Sequence, residues 1–175
     1  MTTEHFEKIF SEINPTEKDI EEMELYSYKG FFGKMTERKV GVFSESPKKY
    51  TYGGKKHASK PLTPFLKHVF EKVVEKTGIP FNFINVNYYP KCTSGRLSIH
   101  RDDEKEHVND TIASVSFGAT NNMLFYKERV GKYYKRITLK HGDLLLFNRF
   151  EWHAVGTSKN LQKNFRLNLT FRVFK

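Results

Sequence analysis

Between residues 62 and 74 apolar side chains return at three- and four-residue steps. Leu62, Phe65, Leu66, Val69, Phe70, Val73 and Val74 form one stripe, which predicts an amphipathic helix. Thr63 suits its N-cap and Pro64 its first turn, while Gly78 and Pro80 mark its end. A shorter helix can start after Asn14-Pro15. From Phe81 onward the pattern changes to short runs rich in β-branched and aromatic residues: FNFINVNYY, TIASVSFG, NMLFYK, YYKRITL, DLLLFN and RLNLTFRVF. Turn residues separate them, among them Pro90, Ser94-Gly95, Asn121-Asn122, Gly131 and His141-Gly142. Many short strands following helices predict an antiparallel sandwich or jelly roll with helices packed on one side.

The last run carries more than an apolar face. In RLNLTFRVF, Leu167, Leu169, Phe171 and Val173 alternate with Arg166, Asn168, Thr170 and Arg172. On a strand those two sets face opposite ways. If the polar face meets solvent, this is an ordinary half-exposed strand. If it lines the mouth of the barrel, two cations lose their water, which is costly unless an anion meets them. A dicarboxylate fits two guanidiniums on one strand, each able to bind in a bidentate way. Asn87 and Tyr89, also two apart, can add donors.

SIHRDDE, residues 98 to 104, sets His100 two places before Asp102. In an extended segment both side chains reach the same side. His153, just after DLLLFN, is the best-placed third ligand. Two histidines and one carboxylate on one face of an octahedron form the facial triad of non-haem Fe(II), which leaves three positions open. With seven histidines and 20 acidic residues in the chain, one such pair can also arise by chance. His100 can then cap a turn and Asp102 can be solvated. Taken with the arginine face, the residues call for iron, a dicarboxylate and oxygen, which together mean 2-oxoglutarate.

Charge adds a partner. The chain has 175 residues and a net charge of +10, unevenly spread. Residues 1–28 sum to −6, residues 29–76 to +8 and the remainder to +8. The basic middle segment also holds Phe31, Phe32, Phe43, Tyr50 and Tyr52. Cations interleaved with aromatics suit a phosphate backbone with stacked bases; a merely soluble basic surface is the plain alternative. Length predicts a single domain. One cysteine, Cys92, rules out a disulfide within the chain and fits a reducing compartment, cytoplasmic or nuclear. Neither a membrane-crossing run nor the layout of a signal peptide is present, so no membrane partner is expected.

From about Gly30 to Lys175 the motifs YTYGGKKH, KPLTPFL, NYYP, IHRDDE, TIASVSFGAT, HGDLLLFN, WHAV and RLNLTFR resemble the AlkB-like Fe(II)/2-oxoglutarate dioxygenases that dealkylate nucleic-acid bases. The resemblance implies an α+β fold: a double-stranded β-helix (jelly roll) of mainly antiparallel strands with supporting helices on one side. Charge sets apart an acidic N-terminal segment, 1–28, outside the resemblance, which implies a dioxygenase domain, 29–175, whose nucleotide-recognition lid covers about 30–60. His100, Asp102 and His153 would bind Fe(II). Arg166, with Tyr89 and Asn168, would hold the distal carboxylate of the cosubstrate 2-oxoglutarate, with Arg172 and Asn87 near the carboxylate that chelates iron; O2 is the oxidant. Tyr50 and Tyr52 match lid aromatics that pack on a flipped base. Asp103 matches an acid near the base's exocyclic group, and Glu104 the acid beside it. Phe31-Phe32-Gly33-Lys34 loosely resembles a wedge that fills the gap left in the duplex. The implied activity is oxidative demethylation of N-alkylated bases such as 1-methyladenine or 3-methylcytosine in DNA or RNA, with formaldehyde released, by a monomer. Two alternatives stay open: a dioxygenase of protein side chains, and a nucleic-acid-binding module with a vestigial iron site. KPLTPF departs from many relatives, which have tryptophan after the first proline, and the segment from Tyr89 to His100 is slightly long.

Overall fold

The computed structural model describes residues 3–27, 35–52 and 55–175. Among the described residues, twelve strands, two α-helices and a short 3-10 helix follow one another as β1 (Glu4–Phe6), α1 (Glu17–Glu22), β2 (Lys39–Phe43), β3 (Lys49–Tyr52), β4 (Lys55–Ala58), α2 (Pro64–Thr77), β5 (Phe83–Tyr89), β6 (Leu97–His100), β7 (Thr111–Gly118), β8 (Asn121–Tyr126), β9 (Lys135–Leu139), β10 (Asp143–Asn148), β11 (Trp152–Val155), the 3-10 turn (Lys159–Gln162) and β12 (Arg166–Arg172). The major sheet has the order β1-β10-β7-β12-β5-β2 and the minor sheet β6-β11-β8-β9; β3 and β4 form a hairpin of their own. Every strand pair is antiparallel. The expected jelly roll is the fold observed.

The apolar stripe of the sequence explains the outer layer. Phe65, Leu66, Val69, Phe70 and Val73 of α2 are buried against Ile84, Val86, Val115, Phe117, Leu167, Leu169 and Phe171 of the major sheet. Phe65 meets Phe117 edge-on at 5.9 Å between ring centroids. The helix starts and stops where its residues require. The Thr63 hydroxyl accepts the Leu66 amide at 3.3 Å, and Gly78 takes the left-handed conformation that ends it.

The acidic N-terminal segment joins the same body. β1 pairs with β10, and Phe10, Ile13 and Met23 are buried in the core under α2. Thr16 caps α1 in a reciprocal box with Asp19. Phe43, counted above among the aromatics of the basic segment, is core as well. Phe31, Phe32, Gly33 and Lys34 lie outside the described residues, as do the side chains of Tyr50 and Tyr52, whose backbone runs along β3.

The space between the two larger sheets is filled at one end and open at the other. Ile112, Met123, Phe125, Ile137, Leu139, Leu145 and Phe147 pack together there as a second core. Beyond them lies a cavity of about 770 Å³.

Candidate metal centre and cosubstrate cavity

The centre begins with register. β11 and β6 run antiparallel with His153 directly opposite His100, and the next residues slip by a bulge before Val155 meets Leu97. Both rings therefore rise from one face of the minor sheet, 4.3 Å apart between centroids. Asp102 follows β6 in a loop whose amide donates to the Arg149 carbonyl at 3.0 Å. One carboxylate oxygen of Asp102 lies 4.0 Å from His100 Nε2 and the other 3.9 Å from His153 Nε2. One ligand atom from each of the three residues lies within 4.8 Å of the other two.

The histidines are prepared for a cation. His100 Nδ1 lies 2.8 Å from the Ser98 carbonyl and His153 Nδ1 2.8 Å from the Glu151 carbonyl. A carbonyl only accepts, so each Nδ1 carries the proton and each Nε2 turns a lone pair toward the centre. Burial lowers the His153 pKa to about 4, helped by the neighbouring His100 and opposed by Asp102, so the ring is neutral at pH 7. Burial alone would raise the pKa of Asp102. The Arg172 guanidinium, at 3.0 Å, and the two imidazoles outweigh it and hold the carboxyl well below the usual carboxylate range.

The polar face of β12 lines the cavity opposite. β12 lies between β5 and β7, so Arg166, Asn168 and Thr170 stand across from Tyr89, Asn87 and Asn85 on one side and Gly118, Ser116 and Ser114 on the other. Arg172 also donates to the Thr170 hydroxyl at 3.0 Å. Asn168 donates to the Ser114 hydroxyl at 2.8 Å and the Val115 carbonyl at 3.1 Å. Arg166 is 1% exposed. It donates one bond, to the Ser116 hydroxyl at 3.2 Å, while Nε and Nη1 have no hydrogen-bond partner among the described residues. Burial lowers its pKa, offset in part by the Tyr89 phenol, whose ring centre lies 5.5 Å from the guanidinium carbon. A buried cation with two unused donors is expensive unless an anion meets it. Donor set and ligand set thus both fit the groups expected from the sequence: a divalent iron at the triad and a carboxylate at Arg166. Gly118 leaves room beside Arg166; a Cβ there would collide with the Phe165 carbonyl, and its φ of 81° favours glycine.

Of the remaining expected residues, Asn87 is buried and accepts a bond from Arg38 Nη1 at 3.0 Å. Asp103 is exposed and pairs with Arg101 at 2.6 Å, and the Glu104 carboxylate sits 3.1 Å from His107 Nε2. Neither is among the residues that line the cavity. Among the lining residues that the sequence reading did not single out are the buried Arg38, its neighbour Glu37, and Tyr26, whose hydroxyl lies 3.2 Å from Nδ1 of His57, the last residue of YTYGGKKH. The pairing of β2 with β5 and of Tyr26 with Val40 brings Arg38 and Tyr26 to the cavity.

The family described as the 2OG-Fe(II) oxygenase superfamily matches residues 1–172. This chain belongs to that superfamily, as an AlkB-like dioxygenase. It is 37% identical over 147 residues to the mouse protein named DNA oxidative demethylase ALKBH2, covering 77% of this chain and 61% of the relative. The human protein of that name is 35% identical over the same length, with 77% and 56% covered. The rat alpha-ketoglutarate-dependent dioxygenase alkB homolog 3 is 30% identical over 153 residues, with 77% and 49% covered. The chain thus spans about half to three-fifths of the length of these relatives. A solved structure titled "The structure of OsALKBH1" superposes with a TM-score of 0.63 at 20% identity, over 85% of this chain and 83% of that one, and bears on the fold. As a member of the superfamily the AlkB-like chain uses Fe(II), 2-oxoglutarate and O2, and His100, Asp102 and His153 are its candidate iron site.

Proposed function

We propose that this oxygenase removes methyl groups from N-alkylated bases, such as 1-methyladenine and 3-methylcytosine, in DNA or RNA. One observation carries the reading: the triad and the arginine face share a single open cavity of about 770 Å³ in a chain 35–37% identical to proteins named DNA oxidative demethylases. The balanced reaction takes the N-methyl base, 2-oxoglutarate and O2 to the free base, formaldehyde, succinate and CO2.

Bound iron with its cosubstrate and O2 supplies the oxidant that places a hydroxyl on the methyl carbon. The protein's part is binding and placement. His100 and His153 would turn their Nε2 atoms to the metal, the His153 ring neutral, and Asp102 stays ionised beside Arg172. Arg166, with Tyr89 and Asn168, takes the far carboxylate of 2-oxoglutarate, while Arg172 and Asn87 stand toward the carboxylate nearest the metal. Tyr50 and Tyr52 of β3 pack on the extruded base, Asp103 meets its exocyclic edge from the rim, and Glu104 backs that acid from its place on His107. Base extrusion suits a pocket that must reach a ring substituent. The net charge of +10 favours a phosphate backbone. Among the described residues no helix is long and apolar enough to cross a membrane. The single cysteine supports a reducing compartment, cytoplasm or nucleus, and we propose a monomer.

Mass analysis of oligonucleotides carrying 1-methyladenine or 3-methylcytosine, as DNA and RNA, single- and double-stranded, tests the proposal. Loss of one methylene mass with stoichiometric succinate is the expected result. Turnover of 2-oxoglutarate with every methylated oligonucleotide unchanged would refute it.

A further inference from the structure

A loop, residues 90–96, leaves β5 directly after Tyr89 and brings Gly95 and Arg96 to the lining of the cavity. One side of that loop is fastened to the body. The Cys92 amide donates to the Leu161 carbonyl at 2.7 Å, the Ser158 amide to the Ser94 carbonyl at 3.1 Å, and Asn121 Nδ2 to the Gly95 carbonyl at 3.3 Å. Leu161 packs with Tyr89 and Ala119, so this fastening lies at the Arg166 end of the cavity.

The other side of the loop is held differently. The Ser94 amide and the Ser94 hydroxyl both donate to a single oxygen, Glu37 Oε2, each at 2.9 Å. Glu37 lies 57 residues earlier, at the approach to β2, and is exposed. Its neighbour Arg38 turns into the cavity and bonds to Asn87. Glu37, Gly95 and Arg96 all line the cavity. The contact thus bridges two chain segments across the rim, made of surface groups rather than core.

We propose that Glu37 is a positioning residue for the cosubstrate subsite: by clamping Ser94 it closes the cavity wall over the Arg166 end and retains 2-oxoglutarate. The inference rests on the assignment of Arg166 as the anchor for the far carboxylate. A carboxylate that takes two donors holds a loop more firmly than a neutral acceptor, because charge-assisted bonds are the stronger ones. Closing the wall also keeps water from the carboxylate that Arg166 binds, which strengthens that pair. Opening it would break the two bonds to Glu37 while the strands keep their pairing.

The test is 2-oxoglutarate binding to the full chain loaded with Mn(II) in place of iron, by calorimetry, and its release rate, by stopped-flow fluorescence of the single tryptophan, Trp152, beside His153. Glu37→Ala should weaken binding about tenfold, chiefly through faster release, with Mn(II) affinity and melting temperature unchanged. Ser94→Ala keeps its amide donor and should fall between Glu37→Ala and the wild type. Glu37→Gln keeps an acceptor oxygen without the charge and should recover part of the affinity; an effect of the lost charge alone would leave it equal to Glu37→Ala. Wild-type affinity in both Glu37→Ala and Ser94→Ala overturns the clamp, as does a change confined to oligonucleotide binding. Arg166→Ala, run alongside, separates the two readings: full affinity there overturns the anchor, whatever Glu37→Ala shows.

Discussion

The two ends of the space between the sheets share β7 and do opposite things. Toward one end Ile112 of β7, Leu145 and Phe147 of β10 and the inward residues of β8 and β9 are apolar and pack together. Toward the other Ser114 of β7 and Arg166, Asn168 and Thr170 of β12 face the open cavity, whose apolar border is Met123 and Phe147. Strands of one kind build both; the side chains at every second position differ. The filled end contributes stability, whereas the open end gives it up, leaving Arg166 with unused donors in a buried place. A protein under no functional demand would fill both.

That contrast can be broken at four points. The largest effect is expected at the triad. Asp102→Ala and His153→Ala should each abolish turnover of 2-oxoglutarate with the fold intact by circular dichroism, since losing one ligand of three disturbs both affinity and the open positions. Near-normal turnover in Asp102→Ala with iron supplied would remove the iron assignment. At the proposed anchor, Arg166→Ala would delete the partner of the cosubstrate's buried carboxylate, a loss of about 2–5 kcal/mol. The 2-oxoglutarate requirement should rise roughly a hundredfold or more, at ~1.4 kcal/mol per tenfold. Arg129→Ala, on the exposed turn after β8, should leave it unchanged.

At the filled end the loss appears as stability instead. Leu145 is fully buried, and Leu145→Ala should lower unfolding free energy by about 2–5 kcal/mol while leaving 2-oxoglutarate affinity in the folded fraction near normal. Denaturant titration and calorimetry on the same sample check both halves. If affinity fell in step with stability, the two ends would be one cooperative unit. On the lid, Tyr52→Ala should weaken use of methylated oligonucleotides by about 1–3 kcal/mol per stacked base, without altering uncoupled 2-oxoglutarate decarboxylation. Assays with and without oligonucleotide separate the two, and a thermal melt guards against a general loss of structure.

Acid should act on the triad and spare the filled end. His153 is neutral in the fold down to about pH 4, against an ordinary value near 6.5. Between those values the unfolded chain binds the proton and the native state does not. The metal-free protein should therefore hold constant stability above about pH 6.5 and lose it as pH falls toward 4. Asp102, whose pKa is depressed, adds stability above its ordinary range that is lost in stronger acid. Denaturant midpoints from pH 8 to 4 measure the slope, and a variant lacking His153 should show a shallower one.

Much of this was legible in the alternation of residues along the chain. The stripe of α2 placed its ends within a residue, because Thr63 and Gly78 act through local geometry. RLNLTFR declared both its faces, since period two leaves no other arrangement on a strand. The short strands β1, β6 and β11 were not legible as strands: with three or four residues each, they take their conformation from the partner they pair with. His100 and His153 stood out as chemistry, but no local signal sets one opposite the other; the register of β6 with β11 does that. Arg38 and Glu37 were invisible for the same reason. In the sequence they are two charges in a basic stretch, and only tertiary pairing sets one on Asn87 and the other on Ser94.

The β3–β4 hairpin belongs to neither larger sheet and meets the body where the Lys60 amide donates to the Val42 carbonyl and where His57 Nδ1 lies 3.2 Å from the Tyr26 hydroxyl. Under the proposed function, changes along this hairpin would alter which base is accepted while the His100–Asp102–His153 cluster and the arginine strand, both carried by the larger sheets, keep their places.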